Sequence, residues 1–328
     1  MRGTSAAAQR ARRPWPVVVG GSGGSGTRLV VTILRAGGVY MGTKVNPTED
    51  ALAFRHFNQT WIRPYLKHQR RGLHNLDHSL AVQDLQEAVA EHCADLADPA
   101  QPWGWKRPES IYVLPFLHQQ LPGMTFLHVV RNGLDMAFSS NQNDLLRYGI
   151  VLPGRAYDHE PEALRSIRLW TEANVSVADY GENHMGPRYL RVRFEALCAH
   201  PVETVAAIFD ALGLLTDPGA ATASVADPGT VGRWRVHSNP KLLLRLLRVG
   251  APALQRFGYW EESAYRELLR RVGRVPLALM PLEERAWRIR HFLSRAARAA
   301  RERRLRAALR NALARWTQEA LSRERDSL

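Results

Sequence analysis

The chain has 328 residues, of which 45% are hydrophobic, and a formal net charge of +14 at pH 7. This length is sufficient to bury a sizeable core in one large or two small domains. Only Cys93 and Cys198 occur, which excludes a disulfide framework and a cysteine-based zinc site and favours a reducing, cytoplasmic compartment. The sequence contains no apolar run of the length needed to span a bilayer.

The first predicted elements are a strand, a glycine-rich turn and a helix. Residues 1–14 are basic and rich in small side chains, and we expect them to be a disordered lead-in. Valines at 17–19 predict a buried strand, and an apolar helix is predicted to end near Ala36. The turn between them holds five glycines within residues 20–26. This order directs free N–H groups and the positive helix dipole to one point, which favours phosphate binding.

The glycine-rich turn matches two known patterns only in part. Gly21, Gly23 and Gly26 spell the G-x-G-x-x-G dinucleotide fingerprint, but the acidic residue expected about twenty residues later is missing. Gly21 and Gly26 also frame a P-loop, but Thr27 and Arg28 stand where a P-loop has Lys and then Ser or Thr. The turn therefore predicts a site for a phosphate that carries no metal.

Two later segments also carry basic residues at predicted element ends. Residues 103–108 read Trp-Gly-Trp-Lys-Arg-Pro and are predicted to begin a helix. Residues 124–130 predict a buried strand that is followed by Arg131, and Ser139 lies eight residues further on, in a predicted helix. Together with the glycine-rich turn, these residues resemble the sulfotransferases that use 3′-phosphoadenosine-5′-phosphosulfate (PAPS). The resemblance covers about residues 15–262.

The resemblance implies a set of PAPS-binding residues. The loop is implied to hold the 5′-phosphosulfate, and a strand-end arginine with a following serine is implied to hold the 3′-phosphate. A later Gly-x-Trp-like segment is implied to close over the nucleotide, without any metal. The implied residues are Gly23, Gly24, Ser25, Gly26, Thr27, Arg28, Arg131, Ser139, Arg233 and Trp234.

One position departs from the family pattern. Many members carry a loop lysine that contacts the transferring sulfonate, and this chain has Gly24 in its place. We expect Arg28 or Lys106 to supply the missing positive charge. The departure bears on the transfer step more than on nucleotide binding.

A general base is required because the acceptor must lose a proton. The family uses either a carboxylate shortly after the first helix or a histidine further on. Here a second strand is predicted over residues 38–42, and Glu49 follows it as our first choice, with Asp50 second and His56 as the histidine alternative. A second interpretation stays open, because acidic residues after Pro47 also suit a helix N-terminus.

The C-terminal segment 285–328 contains thirteen arginines against four acidic residues and has apolar residues at helical spacing. It predicts an amphipathic helix that packs on its own domain. Contact with an anionic membrane face on the cytoplasmic side is the second interpretation, and oligomerisation is a third. Nucleic acid is not an expected partner, because no recognition module accompanies the basic run.

The sequence thus predicts an α/β fold with a mostly parallel sheet and a P-loop-like core. The expected organisation is the lead-in 1–14, a sulfotransferase domain over 15–262 and a basic helical extension over 263–328. The expected reaction is in-line sulfonate transfer from PAPS to a hydroxyl or amine of a small molecule, a carbohydrate or a lipid. The alternatives are an unusual P-loop kinase and a non-catalytic membrane-peripheral protein.

Overall fold

The computed structural model describes residues 16–70, 79–223, 225, 229–237 and 239–272. The chain divides into two compact units, residues 1–268 and 269–328, and all but four of the described residues belong to the first. The predictions made for residues 1–14 and 285–328 lie outside the described residues.

Four parallel strands form the central sheet of the described chain. They are β1 (Val17–Gly21), β2 (Gly104–Lys106), β3 (Thr125–Val130) and β4 (Tyr189–Arg193), in the order β2-β1-β3-β4. In the register, Val19 pairs with Lys106 on one side and with Leu127 on the other. Because the strands are parallel, their C-terminal ends meet at one edge, where such sheets bind ligands. The predicted α/β fold is confirmed.

Helices connect the parallel strands and cover the sheet. Their bounds are α1 (Thr27–Ala36), α2 (Arg55–Arg70), α3 (Ser79–His92), α4 (Leu114–Gln120), α5 (Gly133–Ala137), α6 (Asn143–Tyr148), α7 (Glu162–His184), α8 (Phe194–Ala199), α9 (Pro201–Leu212), α10 (Pro218–Ala221), α11 (Pro240–Arg256) and α12 (Glu262–Val272). Short 3-10 segments include Leu52–Phe54, Pro108–Val113 and Arg233–Val236. Among the described helices, none is both long enough and apolar enough to cross a membrane.

Helix α1 is fixed to the sheet by an apolar face. Val30, Val31, Ile33 and Leu34 lie on that face and are at most 1% exposed. They belong to one core cluster with residues of β1, β3, β4 and α9. Because burying each such side chain contributes about 1.5–3 kcal/mol, the N-terminus of α1 is held firmly at the edge of the sheet.

The structure corrects two local predictions. Residues 38–42 do not form a strand, because Tyr40 makes only an isolated bridge to Trp103. Gly38 and Gly42 have φ values of 84° and 82°, so the chain turns on both sides of that bridge. The segment that was predicted to begin a helix at residues 103–108 instead supplies strand β2, and its helical part starts at Pro108.

Candidate active site

A cleft of about 760 Å³ opens at the C-terminal edge of the sheet. The glycine loop (residues 22–26) reaches it from β1, Lys106 from the end of β2, and Arg131 directly after β3. Three neighbouring strands therefore each bring a group that binds anions to the same space. Asn141, Asn143 and Arg147 extend the polar lining.

The glycine loop has a backbone that only glycine adopts easily. Gly24 and Gly26 have φ values of 94° and 96°, in the left-handed region. A Cβ on Gly26 would lie 2.1 Å from Cδ2 of Phe194, so space also requires glycine there. No side chain caps the N-terminus of α1, and the buried Ser25 hydroxyl has no hydrogen-bond partner. Free donors of this kind fit an anionic ligand.

Two helices hold the start of the loop. Asn174 in α7 donates from Nδ2 to Ser22 Oγ at 3.1 Å and to the Trp170 carbonyl at 2.7 Å. The Gly23 N–H donates to Oδ2 of Asp144 in α6 at 2.8 Å. The first two loop residues are thus fixed by side chains. Further along, the Ser25 N–H donates to the Ser22 carbonyl at 2.9 Å, and the Ser25 hydroxyl stays without a partner and can serve a ligand.

A buried histidine sets the orientation of Asn174. His128 Nε2 lies 2.9 Å from Asn174 Oδ1, and His128 Nδ1 lies 2.7 Å from the Tyr189 hydroxyl. Because the Asn174 amide nitrogen donates elsewhere, its oxygen accepts from Nε2–H, and Nδ1 accepts from the tyrosine. Burial lowers the pKa of His128 to about 3, so the ring is neutral at ordinary pH.

Arg131 is 5% exposed and faces the cleft. Its Nη2 donates to the carbonyl and to Oγ1 of Thr230, at 2.8 and 2.7 Å, and its guanidinium lies 4.7 Å from the Phe194 ring centroid. Burial and the charge of Arg233 lower the pKa of Arg131, although a guanidinium stays charged in proteins. Its buried Nε has no hydrogen-bond partner, which suits a phosphate oxygen.

Ser139 lies beside the tip of the loop. Helix α5 ends at Ala137, so Ser139 follows the helix rather than lying within it as predicted. The short helix ends there because Phe138 leaves helical geometry and Ser139 turns the chain: its Oγ accepts from the Asn141 amide at 3.2 Å. A Cβ on Gly24 would lie 3.8 Å from that hydroxyl, which places Ser139 next to the loop.

Arg233 and Trp234 follow Thr230, the residue that contacts Arg131, and lie outside the described lining of the cleft. Arg233 Nε donates to the Thr230 carbonyl at 3.2 Å, the same oxygen that Arg131 contacts. The Trp234 N–H donates to Asp135 at 3.2 Å, and its ring is buried. The two residues therefore hold the segment that packs on Arg131.

Lys106 and Asp50 form a buried ion pair in the cleft wall. Lys106 Nζ donates to Asp50 Oδ1 at 2.6 Å and to the Thr48 carbonyl at 2.7 Å, and its side chain is 3% exposed. Burial lowers the pKa of Lys106, against the effect of Asp50. Burial alone would raise the pKa of Asp50, but hydrogen bonds from Lys106, Asn46 and Thr48 lower it overall. The carboxylate is therefore ionised at neutral pH.

Glu49 is presented to the cleft by a tight turn. Its φ is 65°, the only positive value among the described non-glycine residues. The Asn46 side chain accepts from the Thr48 and Asp50 amides, so residues 46–50 form a turn and not the helix N-terminus of the second interpretation. The Glu49 carboxylate pairs with Arg35 at 3.0 Å and remains one-third exposed. Strain of this kind is common at functional sites.

The remaining predicted residues differ in position. Arg28 is exposed on the first turn of α1 and lines the cleft, close to the free donors of the loop. His56 is absent from the described lining, its side chain is 76% exposed, and it contacts Asp84 at 3.4 Å. The structure therefore brings Arg28, Glu49 and Asp50 to the cleft and places His56 elsewhere.

A family model matches the part of the chain that builds this cleft. The model is described as the sulfotransferase family, and it matches residues 16–218. The chain belongs to the sulfotransferase family. The resemblance seen in the sequence is confirmed, and the family consists of enzymes that use PAPS. The match includes all four strands of the sheet.

Solved structures are similar to this sulfotransferase in fold. Sulfotransferase STF9 from Mycobacterium avium is 11% identical, with a TM-score of 0.50, 76% of this chain covered and 78% of that chain. The sulfotransferase domain of the Synechococcus PCC 7002 olefin synthase is 17% identical, with a TM-score of 0.45, 76% of this chain covered and 97% of that one. A retinol dehydratase in complex with androsterone and inactive cofactor PAP is 15% identical, with a TM-score of 0.37, covering 74% and 81%. A search of curated proteins gave no match.

Two acidic residues in the lining of the cleft, Glu109 and Asp144, were not identified from the sequence. Asp144 contacts the loop, and Glu109, which is buried, accepts from Arg107 at 3.3 Å and from Arg147 at 3.0 Å. The Asn-Asp pair at 143–144 could have indicated a helix start, but no local pattern indicates which distant residue its carboxylate contacts.

Proposed function

We propose that this sulfotransferase moves the sulfonate of PAPS to a hydroxyl or amine of an acceptor, with the nucleotide bound in the cleft. The observation that carries the proposal is the meeting of the glycine loop, Lys106 and Arg131 with the carboxylates of Glu49 and Asp50 in a single cleft. Backbone N–H groups and cations suit phosphate and sulfonate, and a carboxylate suits removal of a proton.

The residues present fit PAPS. The loop leaves unpartnered donors at its tip, among them the buried Ser25 hydroxyl, and Arg131 keeps a buried Nε without a partner. We assign the loop and the first turn of α1 to the 5′-phosphosulfate. Arg131 and Ser139 take the 3′-phosphate, with the segment of Arg233 and Trp234 supporting Arg131 from its other side.

The groups around the transferring sulfonate have different chemical roles. PAPS supplies an activated sulfonate when it is bound. Glu49 removes the proton of the acceptor hydroxyl or amine. The loop N–H groups and Arg28 stabilise negative charge on the phosphate. The Lys106 ammonium group donates two of its three N–H bonds to Thr48 and Asp50, and the third neutralises the transferring sulfonate. These two cations take the place of the lysine that is missing at Gly24.

The lining of the cleft favours a polar acceptor. Most side chains of the described lining are charged, amide or hydroxyl groups, including Asn46, Asn141 and Asn143. The one aromatic ring of that lining, Phe194, is covered by the Arg131 guanidinium. Flat apolar acceptors need apolar walls, so a carbohydrate or a polar lipid headgroup fits better than a phenol.

The proposed function is tested by calorimetric titration with 3′,5′-bisphosphoadenosine (PAP), the product nucleotide, in the absence of magnesium. We expect PAP to bind at least about tenfold more tightly than ATP, because ATP lacks the 3′-phosphate that Arg131 recognises. Adding magnesium should not strengthen PAP binding. Preference for Mg-ATP would instead support the P-loop kinase, and no binding of either nucleotide would contradict the assignment of the cleft.

Glu49→Gln is expected to lower kcat about 100-fold while PAP affinity changes less than about twofold, because a general base contributes about 10²–10⁴ in rate. The measurement is steady-state sulfonate transfer to a carbohydrate acceptor found by screening, alongside PAP titration. Glu91→Gln is the matched control, since Glu91 is an exposed carboxylate that pairs with Lys44 away from the described lining. An unchanged kcat in Glu49→Gln, with a loss in Asp50→Asn, would transfer the role to Asp50.

A further inference from the structure

Asp144 occupies an unusual place for a carboxylate, since it lies against a loop built to bind anions. Its Oδ2 accepts from the Gly23 N–H at 2.8 Å and from the Tyr112 hydroxyl at 3.3 Å. A Cβ on Gly23 would lie 3.4–3.5 Å from all three atoms of the carboxyl group, so carboxyl group and loop are in direct contact. Asp144 also lines the cleft.

Helix α6 follows the segment that carries Arg131 and Ser139. The bond from Gly23 to Asp144 therefore joins the part of the site assigned to the 5′-phosphosulfate with the part assigned to the 3′-phosphate. A nucleotide that carries several negative charges would lie within a few ångströms of this carboxylate. Between such charges the repulsion is large, because protein surroundings screen it less than water does.

We propose that Asp144 is a positioning residue of the nucleotide site, which holds the Gly23 amide and takes up a proton when an anionic nucleotide occupies the glycine loop. The proposal rests on the proposed function, because it requires PAP or PAPS in the cleft. It assigns no bond-making role to Asp144.

The surroundings of Asp144 favour its protonated form. Burial raises the pKa of Asp144 to about 6, and the nearby Glu109 carboxylate adds to the rise, while the Gly23 N–H, the Tyr112 hydroxyl and Arg147 oppose it. Tyr148 is the other titratable group nearby on α6. The loop and the facing part of α7 contribute only uncharged groups, Ser22, Ser166, Leu169 and Trp170, around a small cavity of about 30 Å³.

Protonation of Asp144 and binding of PAP are thermodynamically linked, and this linkage determines how PAP affinity changes with pH. With a pKa of about 6, free Asp144 is about 10% protonated at pH 7. A bound polyanion raises that pKa further, so binding takes up a proton, and PAP affinity falls as the pH rises from 6 to 8. An asparagine keeps an oxygen that accepts from Gly23 but has no charge, so it removes the proton uptake.

The experiment is PAP titration by calorimetry at pH 7 in two buffers with different heats of ionisation, PIPES and imidazole, which gives the number of protons exchanged. We expect wild type to take up about half a proton more per PAP than Asp144→Asn. Because the phosphates of PAP contribute equally to both proteins, the difference belongs to Asp144. We also expect the variant to bind PAP about tenfold more tightly than wild type at pH 8, with the two affinities converging at pH 5.5.

Leu146→Ala is the control in the same helix, because Leu146 is 71% exposed, and its proton count should equal that of wild type. If Asp144→Asn does not fold, Asp144→Ser replaces it as the uncharged variant in the same comparison of proton counts with wild type. Equal counts in wild type and the uncharged variant would overturn the role of Asp144 while leaving PAP binding intact. Failure of wild type to bind PAP would overturn the proposed function as well.

Discussion

Arg131→Ala is expected to weaken PAP binding about 100-fold, which corresponds to about 2.7 kcal/mol. The guanidinium is held at the cleft by Thr230 and by the Phe194 ring, and it keeps a buried Nε free for the 3′-phosphate. Charge-assisted bonds from arginine to phosphate are among the stronger hydrogen bonds in proteins. Calorimetric titration of the purified variant gives the change directly.

The specificity of that loss can be checked with two further variants. Arg131→Lys keeps the positive charge but loses the planar guanidinium that can donate two parallel hydrogen bonds to a phosphate. We therefore expect its PAP affinity to lie between those of wild type and Arg131→Ala. Arg193→Ala is a matched control, because Arg193 also ends a strand and stacks on an aromatic ring, 4.6 Å from the Tyr259 centroid, outside the described lining. Equal affinities of wild type and Arg131→Ala for PAP would contradict the assignment of the 3′-phosphate.

Lys106→Met should have two large effects, one on stability and one on turnover. Removing one partner of a buried ion pair leaves the Asp50 carboxylate without its charged donor and the Thr48 carbonyl without the Lys106 N–H, and such changes cost about 3 kcal/mol or more of the free energy of unfolding. Losing the cation that faces the transferring group should also lower kcat about 100-fold. Urea denaturation measures the first effect and steady-state transfer the second.

Adding Asp50→Asn separates the two roles of Lys106. The double variant Lys106→Met/Asp50→Asn no longer buries an unpaired charge, so we expect it to regain about half of the lost stability. Its kcat should stay low, because the positive charge is still missing. Recovery of kcat together with stability would mean that Lys106 acts only by holding the turn at residues 46–50.

Much of the fold could be predicted because its signals are local. The valines at 17–19 and the apolar face of α1 indicate a strand and a helix from spacing alone, and five glycines between them indicate a phosphate loop. The segment before Arg131 is largely apolar and predicts a buried strand, whereas the role of Arg131 at a phosphate was implied by the resemblance to the sulfotransferases. The predicted strand at 38–42 was wrong because paired glycines turned the chain there, which outweighed its β-branched and aromatic residues.

The rest of the site depends on contacts that only the folded chain creates. The Gly23 amide meets Asp144 across 121 positions of sequence, and Lys106 meets Asp50 across 56. No periodicity or spacing encodes such pairs. Glu49 could be singled out as an acidic residue, but its positive φ arises from the hydrogen bonds of the Asn46 turn.

The two side chains that fasten the start of the loop differ in their response to acid. Burial raises the pKa of Asp144 to about 6, whereas Asn174 is oriented by His128, whose pKa burial lowers to about 3. His128 stays neutral through the whole range in which Asp144 changes its charge, so Ser22 keeps its hydrogen bond while the contact at Gly23 changes in strength. Lowering the pH from 8 to 5 therefore changes the contact between Gly23 and Asp144 and leaves the contact between Ser22 and Asn174 unchanged. Of the two contacts that hold the start of the loop, the one at Ser22 is therefore independent of pH between 5 and 8, and the one at Gly23 is not.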